Sequence, residues 1–111
     1  MSLKTLRAKA DKLWSSGKLT YCEKCGETTE VSPHHCIRRA NKTLRWDLAN
    51  KVWLCASCHV SGDSSAHGSP AEFMKWFKEA RPEDYKYLME RKNIISKFTE
   101  EDMKKIIKEL E

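Results

Sequence analysis

The sequence contains no apolar run approaching the roughly 20 residues that a bilayer-spanning helix requires. The first thirteen residues also lack the apolar stretch of a secretory signal, because Lys4, Arg7, Lys9, Asp11 and Lys12 interrupt them. There is no internal repeat and no low-complexity linker. These absences argue against a membrane span and a secreted chain, and the expected location is the cytoplasm. Disulfides are rare there, so the five cysteines are expected to be metal ligands or spectators.

At 111 residues the chain is expected to form one domain. A chain of this size buries a modest core, and a bound metal would add directly to its folding free energy. Lys and Arg number 21 against 16 Asp and Glu, a net charge of +5 that points to an anionic partner.

Leu3, Leu6, Ala10, Leu13 and Trp14 recur at helical spacing and predict an amphipathic helix over 1–16, closed by Ser16-Gly17. Residues 28–37 are β-branched and polar and suit a short strand, and 51–54 suit a second. A basic connecting loop over 38–45 lies between them, and a Ser- and Gly-rich loop is expected over 61–68. Ser69-Pro70-Ala71-Glu72 reads as a helix start with a capping box, followed by Phe73, Trp76, Phe77 and Ala80 on one face. Pro82 opens another helix, and Thr99 caps a last one carrying Met103, Ile106, Ile107 and Leu110. The expected class is α+β. An N-terminal helix (1–16) precedes a zinc-stabilised core (20–68), and about three helices fill 69–111.

Cys22-x-x-Cys25 and Cys55-x-x-Cys58 lie about thirty residues apart. Each C-x-x-C turn sets two thiolates on one side of a tight loop, and two such loops complete a tetrahedron for structural Zn²⁺. Gly26 follows Cys25, where a positive φ is often needed. A redox C-x-x-C normally occurs once, within a βαβ pattern, which is missing here. Cys36 is left over and reads as a small buried spacer.

A knuckle that only stabilises a fold does not need the adjacent His34 and His35, the following Asn50, or His59 abutting the last cysteine. On a strand, neighbours point to opposite faces, so one histidine can bind a metal while the other meets a substrate. The Asn50 side chain can bridge backbone groups across the loop between them. Together with Arg38, Leu44-Arg45-Trp46-Asp47 and Leu54-Cys55-Ala56-Ser57-Cys58-His59, this ordered series resembles the HNH endonucleases. It is most similar to the phage proteins of the NinG/Rap recombination type, over residues 20 to about 80.

The resemblance implies a ββα-metal core and hydrolysis of DNA, branched or unbranched, in phage recombination or packaging. By position, His35 would be the general base, and His34 and His59 would bind a catalytic divalent cation. Mg²⁺ or Mn²⁺ is the first expectation, with Zn²⁺ or Ni²⁺ as alternatives. Asn50 would orient the loop beside the base, and His67 is a candidate further ligand, phosphate contact or loop residue. A phage protein partner is a further expectation.

Arg38, Arg39, Lys42, Arg45 and Lys51 face one acid, Asp47, over the same stretch and would contact phosphates. Trp46 and Trp53 are expected to pack around the metal core. The rival reading is a zinc-stabilised DNA-binding or adaptor module without cleavage, which would keep the cysteines and the basic loop but would not need His35.

Overall fold

Leu6, Ala10 and Trp14 recur every fourth residue, so one stripe of helix α1 (Leu3–Trp14) is buried. The Ser2 hydroxyl accepts the Thr5 N–H and caps its start. Gly17, at φ +94, carries the chain away. At the other end of the sequence, Thr99 and Asp102 form a reciprocal capping box on α4 (Glu100–Leu110), which buries Met103 and Ile107. These two stripes pack on each other and, with Trp46, make one of two apolar cores.

The computed structural model describes residues 2–17, 19, 21–61 and 66–111. Of the loop expected over 61–68, residues 62–65 lie outside the described residues.

The second core surrounds a two-stranded antiparallel sheet, β1 (Ser32–His35) and β2 (Lys51–Leu54). Val52 and Leu54 are fully buried, whereas Lys51 and Trp53 are not, as the two-residue period requires. His34 pairs with Val52 and His35 with Lys51, so the two histidines take opposite faces. β2 has its expected bounds, but β1 is shorter than the expected 28–37. The Glu27 carboxylate takes the N–H groups of Thr28 and Thr29 at 2.8 and 3.3 Å, and Glu30 turns to φ +53. Local side-chain bonding thus ends the extended chain before Ser32.

Helices α2 (Pro70–Ala80) and α3 (Pro82–Arg91) complete the cover, with Phe73, Phe77 and Leu88 buried. Ser69 does not cap α2 with its side chain, contrary to expectation, because its backbone (φ −139, ψ 72) is not in the capping conformation. Ala80 is exposed, while Trp76 packs partly against the core. Trp46 belongs to the α1/α4 core rather than to the sheet core, because its indole N–H reaches Asp11 at 2.9 Å.

Pro82 excludes Arg81 from the helical region and breaks α2 from α3. The freed guanidinium binds Asp84, Glu23 and the carbonyls of Lys51 and Ala49, tying this corner to β2 and the first knuckle. The fold is a small α+β arrangement, and no helix among the described residues is long and apolar enough to cross a membrane.

Asp11 is the polar bond between α1 and the basic loop. It accepts from Arg45 at 2.6 and 2.9 Å, from Arg39 at 3.0 Å and from Trp46. Burial works to raise its pKa, but Arg45, Arg39 and Trp46 outweigh it and hold the carboxyl below its usual range. Asp11→Ala strands a mostly buried guanidinium and an indole N–H. It should cost about 2 kcal/mol, or roughly 10 °C in Tm. A depressed folded pKa means this stability is complete above the unfolded carboxyl value, about 3.9, and fades as pH falls through the folded one. Thermal melts should therefore separate the variant from wild type at pH 7, with the gap narrowing as pH is lowered below about 3.9.

Candidate metal centres and the histidine cavity

The first knuckle is a tight turn. Gly26 N–H donates to the Cys22 carbonyl at 2.9 Å, Cys22 N–H donates to Glu27 at 2.7 Å, and Gly26 adopts φ +80. The second knuckle leaves β2 and winds into a π-helical turn, Ser57–Ser61. The sulfurs of Cys22, Cys25, Cys55 and Cys58 all lie within 4.8 Å of one another, with Cys25 and Cys55 at 3.5 Å. Four thiolates about 2.3 Å from a tetrahedral Zn²⁺ would stand roughly 3.8 Å apart, so the cluster is the right size for a structural metal such as zinc.

Burial works to raise the Cys22 pKa, but backbone donors of Cys55, Cys25 and Lys24 outweigh it and bring the thiol down to about 7. Burial and the neighbouring sulfurs push Cys58 up. Cys36 stands apart. Its thiol contacts the Met74 sulfur at 3.6 Å, burial pushes it up to about 12, and it is a partly buried residue on the wall of the histidine cavity.

A second cluster joins His34 of β1, His59 of the π turn, and His67. One ring nitrogen from each lies within 4.8 Å of the others. Two backbone bonds fold the later segment back onto the turn, from Ala66 to Cys58 at 2.8 Å and from His67 to His59 at 3.1 Å. Phe73 meets the His34 ring edge-on at 5.4 Å. Burial, then the neighbouring His59, His67 and His35, drives His34 down to about 3. Burial and His67 lower His59 as well. The lowered values of His34 and His59 favour the neutral ring, whose lone pair a metal can take. Three imidazoles suit Zn²⁺, Ni²⁺, Cu²⁺ or Fe²⁺ better than Mg²⁺, which prefers oxygen ligands.

His35 lies on the other strand face. Its ring stacks on Trp14, with centroids 3.8 Å apart and planes 10° from parallel. Its Nε2 is 2.9 Å from the Arg45 carbonyl oxygen. A carbonyl only accepts, so Nε2 carries the proton and Nδ1 keeps its lone pair. Burial lowers the His35 pKa most, and the charges of Arg39 and Arg45 lower it further against the opposing pull of the Arg45 carbonyl and Asp11. All four histidines line one cavity of about 540 Å³, with Arg38 and Arg39 at its edge.

Asn50 is fully buried. Its Oδ1 accepts the Ile37 N–H at 2.6 Å, and its Nδ2 donates to Ile37 and Leu44 carbonyls at 3.0 and 3.1 Å. It holds the loop as the sequence suggests and does not line the cavity among the described residues.

The five basic residues do not share one surface. Arg38 is exposed and has no partner among the described residues, while Arg39 reaches Asp11. Lys42 lines a different hollow with Asn41 and Ile95. Arg45 is turned inward onto Asp11, and Lys51 donates to the Ser16 carbonyl and stands over the Trp14 and Trp53 rings. Asp11 and Trp14, which support His35 directly or through Arg45, were missed by sequence reasoning. The available signal was a single acid on an otherwise basic helix. Comparison of the chain with protein-family models, curated proteins and solved structures finds no match.

Metal analysis after loading with Zn²⁺ and desalting should find one ion that survives His59→Ala and a second that does not. Retention of both would remove the histidine cluster as a site. Asn50→Ala should cost about 2–4 kcal/mol in chemical denaturation, since it leaves the Ile37 N–H and carbonyl without the amide that satisfies them and takes one of two donors from the Leu44 carbonyl.

Proposed function

We propose that this chain is an HNH-type, metal-dependent endonuclease that hydrolyses DNA phosphodiester bonds, with β1, β2 and the His59 turn forming a ββα-metal core. The observation that carries this reading is the shared cavity. Three imidazoles that can hold a cation face the same space as a fourth whose tautomer is fixed by a backbone carbonyl.

His34, His59 and His67 would hold the cation. When bound, it would supply Lewis-acid stabilisation of the charge building on the phosphate and the leaving 3′ oxygen. The chain's own residues do the rest. Arg38, exposed at the cavity edge, holds a non-bridging phosphate oxygen. The proton on Nε2 is held by Arg45, so Nδ1 of His35 takes a proton from water. The water oxygen forms the new bond to phosphorus as the bond to the 3′ oxygen breaks. The 3′ oxygen then gains a proton from solvent, leaving a 5′-phosphate and a 3′-hydroxyl. Trp14 keeps the His35 ring from turning out of line. The four-cysteine cluster acts at a distance, because it sets where the His59 turn begins.

Cleavage of supercoiled plasmid and of a four-way junction, with Mg²⁺, Mn²⁺, Zn²⁺ or Ni²⁺ supplied, tests this. His35→Ala should lose about two to four orders of magnitude in rate while keeping its fold and zinc. If wild type and variant bind DNA and both leave it intact, the chain is a DNA-binding or adaptor module instead.

A further inference from the structure

A second basic hollow lies beside the N-terminal half of α1. It measures about 290 Å³ and is lined by Lys4, Arg7, Ala8, Asp11 and Arg45. Its one carboxylate is already engaged by Arg45, Arg39 and Trp46. Lys4 and Arg7 have no acid or acceptor among the described residues, and Arg7 Nε is buried without any acceptor. The first turn of α1 carries no acidic residue and adds the partial positive charge of its N–H groups. The hollow therefore has unspent donors and surplus positive charge, the composition of an anion seat.

Its position gives it a use. Asp11 lines this hollow and binds Arg39, which lines the histidine cavity, so the two recesses are joined through one ion pair of 3.0 Å. We propose that Lys4 and Arg7 seat a DNA backbone phosphate next to the one in the histidine cavity, making α1 a nucleic-acid-contacting helix. The identity of the anion rests on the endonuclease reading; the seat itself rests on the geometry of α1.

The test is duplex binding by the metal-loaded protein across a salt series, with plasmid cleavage measured on the same preparations. Lys4→Gln and Arg7→Gln should each reduce the slope of log K against log[salt] by about one, the loss of one phosphate contact. Arg7→Lys keeps the charge and should keep the slope. Lys108→Gln removes an equal charge from the exposed side of α4 and should leave the slope unchanged.

If Arg7→Gln does not fold, Lys4→Gln against Lys108→Gln decides. Equal losses in all three Gln variants, or none in Lys4→Gln and Arg7→Gln while wild type still cuts, overturn the seat and spare the endonuclease reading. Selective losses without any cleavage by wild type support the seat and remove the endonuclease reading. No DNA binding at all overturns both.

Discussion

The arrangement depends on one buried amide. Asn50 sits at the end of a 3₁₀ turn, Leu48–Asn50, immediately before β2. Its carbonyl accepts the Cys36 N–H, and its side chain accepts from Ile37 and donates to two further carbonyls. A single residue thus closes the long excursion between the strands at four backbone points. An aspartate could not do this, since it lacks the amide donors and would bury a charge. The closure sends Leu44 into the sheet core and Trp46 into the α1/α4 core, with Arg45 between them. The carbonyl of Arg45 meets His35 and its guanidinium meets Asp11, so the loop that sets the imidazole is also the seam between the two cores.

Much of this was readable in the chain because its causes are local. The helices announce themselves by four-residue spacing, and Pro70, Pro82 and Thr99 mark their starts. The cysteine cluster is readable because C-x-x-C is a property of one turn. β1 was over-extended on paper because its threonines favour strands, yet Glu27 captures their N–H groups first. The third histidine was harder, since no spacing rule links His67 to His34 across a Ser- and Gly-rich stretch. The support of His35 by Trp14 was not readable at all. The two lie in separate elements, and only the packing of α1 brings them together.

The positive charge has two fates. Arg45, Lys51 and Arg81 are drawn inward, where they satisfy carbonyls and carboxylates and stack on aromatic rings. Guanidinium groups suit this use, because several fixed donors can reach several acceptors at once. Arg38, Lys42, Lys4 and Arg7 are left without such partners among the described residues. A count of basic residues along 37–51 therefore overstates the free charge there and overlooks the contribution of α1.

The pairing of α1 with α4 has a consequence for how the protein comes into being. Lys9 and Glu111 lie 3.7 Å apart, and α1 is packed on α4, which is synthesised well after it. Until α4 is made, α1 lacks the helix that covers Leu6 and Ala10 and is held only by its loop contacts, among them the bond from the Trp14 indole to the Asp47 carbonyl. The knuckles and the hairpin can form earlier, from contacts within residues 21–59. Vectorial synthesis therefore delivers the three-histidine side of the cavity before the helix that completes the packing of α1 behind His35.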